Sequence, residues 1–415
     1  MIKTESPAAT TQVSEWRDVL VLILLGLVIR LAWVKFGSWE SGDSQWYLAT
    51  ARNIAQNHFF SFDGDNPTAF RPPLYSSLIA ALWFGESPVF TVLMVQVLLG
   101  AFTVGLVYLI ARRKASRSVA LLAGAGLALA LMSGRFTAVI LSETLFTSLV
   151  TLGMFFWSGK RFGLSGIAFG LGALTRVTLL PFVVLLPLLT LARPWRMHRR
   201  GYMIIALVSL AVCSIWIVRN AIAFHRFIPV AASGYGTNLF LGSLELKDAD
   251  DVSRRKLLLA NADNAGNASA EDETAFDRVR LSAAFNRIAA SPSRWLIARV
   301  QQYPRLFIDS GSYLFGSEGI PLGLALRERK TGQVLIRSVL IMANAVVLLL
   351  AVVGVMVRRL EFVNLSEIVL FPIYLAVVAL PLWIEPRYGL PMMPALVILS
   401  AIGTVQIWRR CFGRG

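Results

Sequence analysis

Several short stretches of this sequence place ionisable side chains where an apolar segment gives way to polar residues. The first is GDSQWYLATARNIAQNH, with Asp43 four residues ahead of Tyr47. Tyr47, Ala51, Ile54 and Ala55 share one helical face, so the stretch reads as an amphipathic helix at a membrane interface. Asp43 stands at its start. A carboxylate there either caps free backbone amides or acts as a catalytic base held between membrane and water.

Next comes FDGDNPTAFRPPLYSS, where Arg71 directly precedes two prolines that fix the backbone. An interfacial arginine can bind a lipid phosphate through its fork of donors, or simply anchor the chain. Asp63 and Asp65 read as turn residues. In SGRFTAVILSETLF, Glu143 lies close to hydrocarbon, which is costly without a partner or a purpose. Arg135 offers a local ion pair as the plain alternative.

Arg176 in LGALTR and Arg219 in IWIVRN end helices that run outward, where the helix dipole alone favours a cation. The stretch WIEPRYGLPMMPAL packs Glu385, Arg387 and Tyr388 between two apolar runs, with Pro386, Pro391 and Pro394 shaping the turn. Arg387 either seals that turn with Glu385 or meets an anionic headgroup. The inventory is carboxylates and arginines, without a Cys nucleophile, a Ser–His pair or a phosphate-cradling glycine loop. Acid–base chemistry on a phosphate-bearing lipid fits it best.

The elements that must position these groups follow from composition. The chain has 415 residues, 56% hydrophobic and only 15% charged, with 40 Lys+Arg against 24 Asp+Glu. Soluble domains carry about 25% charged residues, so this composition cannot cover a water-soluble globule. The +16 charge falls in short clusters between apolar runs, which is a topology signal and excludes a nucleic-acid-binding face. Cys213 and Cys411 make no disulfide framework, and three scattered histidines make no His-rich metal site.

The reading is an all-α polytopic membrane protein of about ten transmembrane helices: 19–37, 89–111, 118–134, 144–158, 162–176, 177–193, 201–222, 334–357, 367–384 and 388–408. No small-residue cleavage site follows the first, so it reads as an anchor. Ten spans with both termini cytoplasmic put every basic cluster on one side: Arg112–Lys114 with Arg117, Lys160–Arg161, Arg193–Arg200, Arg358–Arg359 and the Arg409–Arg414 tail. Residues 73–85 are too short to cross and are expected along the outer interface or re-entering. Arg30, inside the first span, faces the bundle or snorkels, at about 2.5–3.5 kcal/mol if central.

This divides the chain into a cytoplasmic N-terminus (1–18), a transmembrane module (19–222) with an outer loop at 38–88, a large outer loop (223–333), C-terminal transmembrane helices (334–408) and a cytoplasmic tail (409–415). The second loop reads as helix from Thr274 to Phe307, broken at Ser291–Pro292. Its polar 245–280 stretch is expected to be a mobile cover or a linker.

The order of GDSQWYLATA, FRPPLYS, LSETLF, LGALTR, WIVRNAIAFHRFIPVAASGYGTNLFLGS and EPRYGLPMMPAL resembles the bacterial branch of the C-type (GT-C) glycosyltransferases, over about residues 20–405. That branch is similar to protein O-mannosyltransferases and to the lipid A aminoarabinose transferase. The resemblance implies an inverting transfer of one sugar from a polyprenyl-phosphate (undecaprenyl-phosphate) carrier to an acceptor hydroxyl, at the periplasmic face of a bacterial inner membrane. By the same resemblance Asp43 is the general base, Arg71 the first choice for the phosphate, Glu143 the second acidic position, and Arg387–Tyr388 the closing motif near the donor. Arg176 and Arg219 join the phosphate-binding candidates. The acceptor is a glycan, lipid or protein, which position alone assigns to loop 223–333, and many relatives carry additional spans or a C-terminal soluble domain.

Three other functions compete. A flippase or transporter of lipid-linked sugars predicts polar residues at mid-membrane, whereas here they cluster at outer ends. A polysaccharide ligase would use His225 and Arg226 and leave the Asp43 helix idle. A non-catalytic scaffold leaves the outer carboxylates unexplained. No cofactor is demanded, though a carboxylate pair beside a phosphate admits Mg or Mn.

Overall fold

The computed structural model describes residues 7–232, 234–244, 273–308, 311, 314 and 322–412. Those residues are mostly helical and form no strand. That is what hydrocarbon demands, since a helix satisfies its backbone amides and carbonyls within one segment.

The helices are α1 (Pro7–Phe36), α2 (Ser44–Asn57), α3 (Pro73–Ala81), α4 (Val89–Lys114), α5 (Arg117–Leu129), α6 (Leu131–Thr137), α7 (Glu143–Ser158), α8 (Phe162–Thr175), α9 (Leu179–Leu189), α10 (Arg199–Phe224), α11 (Tyr235–Ser243), α12 (Glu273–Ala290), α13 (Pro292–Gln302), α14 (Leu322–Arg327), α15 (Thr331–Val357), α16 (Ser366–Ala379) and α17 (Met393–Phe412). Among the described residues six helical stretches are long and apolar enough to cross a membrane: Ser14–Phe36, Val89–Lys114, Arg193–Phe224, Thr331–Val357, Glu361–Ala379 and Pro386–Phe412. A seventh is reached if α5 and α6, bent by 52° at Ala130, count as one span. The expectation of about ten spans is met by six or seven helices of full length among the described residues. The other three expected segments coincide with α7, α8 and α9, which have only 16, 14 and 11 residues. At 1.5 Å per residue these reach about 24 Å or less, short of a hydrocarbon core of about 30 Å.

The bundle runs α10–α8–α7–α4, with α1 and α5 on α4, and continues α5–α17–α15. Glycines set the closest crossings. Gly354 of α15 and Gly403 of α17 each lie on the other helix's backbone, and Gly166 and Gly170 of α8 lie on α10. Only small residues allow that approach. Ser209 Oγ adds a hydrogen bond to Gly166 O at 2.9 Å. The α4 residues Val104, Val107, Tyr108 and Ile110 are fully buried, while Leu20, Val21, Leu24 and Val28 of α1 and Leu335, Val339 and Leu349 of α15 face outward. That apolar outer surface is the one lipid covers. Arg30 faces the bundle as expected, donating to Gly26 O at 3.1 Å and to Ser133 Oγ at 3.0 Å.

The charges separate by end. At one end Arg112 pairs with Glu15 at 2.8 Å, Arg117 with Asp18 at 2.6 Å, and Lys114 with Glu367. Arg113 Nη1 donates to Phe155 O at 2.6 Å, at the far end of α7 from Glu143. Glu143 therefore stands about 24 Å from this basic rim, the length of α7.

The segments expected outside the membrane pack over that opposite end. Ile140 N donates to Trp39 O at 2.9 Å, and Ala232 N to Ala69 O at 2.8 Å. The short segment at 73–81 does not cross; α3 lies against α2 and α8. In the second loop the helix breaks at Ser291, where it was expected. Asp277 of α12 caps α11, accepting from Gly234 N, Gly236 N and Thr237 N at 2.9–3.1 Å. The polar stretch at 245–272 lies outside the described residues.

Candidate functional site

Asp43 occupies the N-cap position of α2, yet its side chain makes no capping bond. Ser44 takes over local bonding there: its Oγ accepts from Ser41 N at 3.0 Å and donates to Ile140 O at 2.9 Å. The Asp43 carboxylate is thereby free for long-range partners. Arg71 Nη2 approaches Oδ1 at 2.5 Å, and Arg387 Nη1 approaches Oδ2 at 3.1 Å. Burial would raise the Asp43 pKa, but the charges of Arg71 and Arg387 outweigh it and hold the carboxyl below its ordinary value.

Arg71 is fixed from both sides. Pro72 disfavours helix at the residue before it, and Pro73 then opens α3, where a missing amide costs nothing. The guanidinium lies among the rings of Tyr47, Trp46 and Phe70, at 5.1, 5.5 and 5.7 Å from their centroids. Its Nη1 reaches Tyr47 Oη at 3.4 Å, while Nε is buried with no hydrogen-bond partner.

Glu143 is the first residue of α7, where the helix dipole favours an anion, and is 2% exposed. Its partner is Arg176, at 2.9 Å, from the C-cap of α8. The alternative partner, Arg135, donates to Ser38 O at 2.9 Å. Arg387 closes the group: its Nε lies 2.6 Å from Glu385 Oε2 and 3.7 Å from Glu143 Oε1. The Glu385–Arg387 pair thus seals the turn and also faces the two other carboxylates. Tyr388 has Arg176 over its ring at 5.6 Å, and its hydroxyl lies 3.4 Å from Asn238 Oδ1.

Asp43, Arg71, Glu143, Arg176, Arg387 and Tyr388 therefore come together, from five separate parts of the chain. Arg219 does not join them. Its guanidinium donates to Thr68 O at 2.9 Å and Phe60 O at 3.2 Å, bracing the first outer loop. Asp63 is a turn residue, as expected, accepting from Asp65 N and Asn66 N at 3.0 and 2.9 Å. Sequence reasoning missed the aromatic enclosure of Arg71, although Trp46 and Tyr47 lie in the same motif as Asp43. It also missed Asn238, which nothing in GTNLF marks.

Three carboxylates facing three guanidiniums make a charge-balanced cluster that an incoming anion can reorganise. Among the described residues no group of three or more His, Cys, Asp or Glu is placed to hold a metal ion.

Comparison with known proteins bears on the fold. The model of the dolichyl-phosphate-mannose-protein mannosyltransferase family matches residues 71–218, just over a third of the chain. The archaeal oligosaccharyltransferase AglB from Archaeoglobus fulgidus, in complex with an inhibitory peptide and a dolichol-phosphate, is similar in structure, with a TM-score of 0.54 and 13% identity. The match covers 96% of this chain and 51% of that one, so this chain spans about half the length of the oligosaccharyltransferase. ArnT from Cupriavidus metallidurans bound to undecaprenyl phosphate is 15% identical over 94% of this chain and 79% of that one, with a TM-score of 0.41. That second likeness is too loose to bear on the fold. A comparison with curated protein sequences returned no match. The chain is a multi-pass membrane protein that shares its fold with the archaeal oligosaccharyltransferase.

Proposed function

We propose that this protein is a glycosyltransferase that takes a sugar from a polyprenyl-phosphate carrier, with undecaprenyl phosphate as the carrier lipid, and passes it to an acceptor hydroxyl. The reaction runs at the outer, periplasmic face of a bacterial inner membrane, the end of the bundle away from the basic rim. The observation that carries this reading is the shared grip on Asp43. Two arginines hold one carboxylate that a helix cap would otherwise have used.

The carrier phosphate competes with Asp43 for Arg71 and Arg387. The buried, unpartnered Nε of Arg71 supplies a further donor for it. As the arginines turn to the phosphate, Asp43 loses the charges that depress its pKa and becomes the stronger base. It takes the proton of the acceptor hydroxyl. That oxygen bonds to the anomeric carbon from the face opposite the phosphate, so the configuration inverts. The bond from the anomeric carbon to the phosphate oxygen breaks, and its electron pair leaves with the polyprenyl phosphate. Arg71, Arg387 and Arg176 stabilise that charge without a proton transfer. Glu143 and Glu385 orient the arginines, and Tyr388 borders the donor.

A polyprenyl-phosphate dependence agrees with the family model over 71–218 and with the dolichol-phosphate complex of the oligosaccharyltransferase. Loop 223–333 is assigned to the acceptor by its position in the chain, and its Asn238 in α11 reaches Tyr388 at the edge of the site. The test supplies purified protein with a labelled polyprenyl-phosphate sugar and a panel of glycan, lipid and protein acceptors, with and without Mg. Label should move to one acceptor class, and Asp43→Asn should abolish the movement. Undiminished transfer by Asp43→Asn would remove the base, while carrier crossing vesicles without transfer would make the protein a flippase.

A further inference from the structure

Glu143 presents only one oxygen to the arginines. Oε1 carries the contacts to Arg176 and Arg387, whereas Oε2 is buried and has no hydrogen-bond partner. Glu143 also lines a cavity of about 20 Å³, together with Thr103 of α4, Ser133 and Thr137 of α6, and Thr147 and Ser148 of α7. Thr147 Oγ1 is a second buried atom there without a hydrogen-bond partner. Two orphaned polar atoms at one small cavity call for an account, because buried polar groups are nearly always bonded.

The chemistry of the lining narrows the occupant. The other hydroxyls already use their protons or receive them. Thr137 donates to Ser133 O at 2.7 Å and Ser148 to Thr144 O at 2.8 Å. Thr103 donates to Leu99 O at 2.7 Å, and Ser133 Oγ receives Arg30 Nη2 at 3.0 Å. An ionised carboxylate oxygen only accepts, while the Thr147 hydroxyl can both donate and accept. The missing partner must therefore donate to one atom and accept from the other. A metal cation would leave the Thr147 proton without an acceptor, and it would stand among Arg30, Arg176 and Arg387. A cavity above about 10–15 Å³ with several polar neighbours suits a single water.

We infer that this cavity binds one water molecule, which donates to Glu143 Oε2 and accepts from Thr147 Oγ1. The water holds the carboxylate with Oε1 turned toward Arg176 and Arg387, so Thr147 is a positioning residue for the arginine cluster. Only the functional readout of this inference rests on the phosphate-binding reading given above.

The test has two arms on the full-length protein in lipid. A high-resolution map should show a density peak about 2.6–3.2 Å from both Glu143 Oε2 and Thr147 Oγ1. Undecaprenyl phosphate is then titrated onto wild type, Thr147→Val, which keeps the shape without the hydroxyl, and Thr147→Ser, which keeps the hydroxyl. Thr147→Val should bind about tenfold more weakly and Thr147→Ser within about twofold of wild type. Absence of the peak, or equal binding by the valine and serine variants, overturns the inference. If wild type itself fails to bind undecaprenyl phosphate, the phosphate reading falls while the map still decides the water.

Discussion

Asp43 and Glu143 face the same guanidinium: Arg387 Nη1 lies 3.1 Å from Asp43 Oδ2, and its Nε lies 3.7 Å from Glu143 Oε1. The two carboxylates nevertheless sit in different surroundings. The Asp43 side chain is 28% exposed, whereas that of Glu143 is 2% exposed. Exposure suits a group that must meet a substrate, and burial suits one that fixes an arginine. The two acids therefore separate by experiment.

Asp43→Asn keeps the shape of the side chain and removes its basicity. Loss of a positioned base costs a factor of about 10²–10⁴ in rate. Transfer from a labelled polyprenyl-phosphate sugar should fall by that factor, with the melting temperature in detergent within a few degrees of wild type. A large drop in melting temperature would instead make Asp43 a structural residue.

The pH dependence follows from the depressed pKa of Asp43 in the free protein. A carboxyl whose folded pKa lies below its unfolded value of about 3.9 stabilises the fold fully above that value. That contribution is lost only as pH falls through the lower folded value. In the free protein Asp43 thus stays ionised to lower pH than an ordinary aspartate. Bound phosphate draws Arg71 and Arg387 away, which raises the Asp43 pKa. The acid limb of kcat should then lie at higher pH than the acid limb of kcat/KM, since the former reports the substrate complex and the latter the free enzyme. Coincident limbs would mean that the arginines never leave Asp43.

Stability should rank the arginines by the burial of the acid each one serves. Breaking a buried pair by removing one partner costs about 3–5 kcal/mol, because the other charge is stranded. Arg176→Ala leaves the deeply buried Glu143 with only the longer 3.7 Å contact to Arg387, so it should lower unfolding free energy by up to about that amount. Arg71→Ala leaves a partly exposed Asp43 that still has Arg387, so about 1 kcal/mol is expected. Denaturant or thermal unfolding in one detergent compares the two, and equal losses would contradict the ranking.

Much of this arrangement is legible in the sequence, for physical reasons that differ by residue. The apolar runs mark α1, α4, α10 and α15 because a lipid-facing helix needs an unbroken apolar surface. Proline marks the α12–α13 break and the start of α3 because it removes an amide and fixes φ. The candidates near Asp43 could be picked out because charges at hydrocarbon ends are costly and therefore few. Pairing was not legible. Glu143 finds Arg176 from another helix instead of Arg135 nearby, and such choices arise only when α7 and α8 pack. Helix length was not legible for a related reason: α7, α8 and α9 end early at polar or proline-containing segments that hydropathy alone does not bound.

Arg219 is where position and geometry part, and it gives the last prediction. It lies in the last two turns of α10, where a phosphate-binding arginine is expected, yet its guanidinium is committed to the carbonyls of Thr68 and Phe60. Those carbonyls belong to the segment that carries Arg71. Trp216 and Phe60 flank the guanidinium at 4.6 and 5.5 Å from their ring centroids, which further fixes it. Arg219→Gln keeps an amide donor for one carbonyl and removes the charge. Were Arg219 a phosphate ligand, the loss of charge would weaken binding of undecaprenyl phosphate by tenfold or more. As a brace, it should leave that binding within about threefold of wild type. The 59–70 segment should then be cut faster in limited proteolysis, because local opening of a loop depends on the few bonds that close it. A strong binding defect with an unchanged cleavage pattern would return Arg219 to the phosphate site.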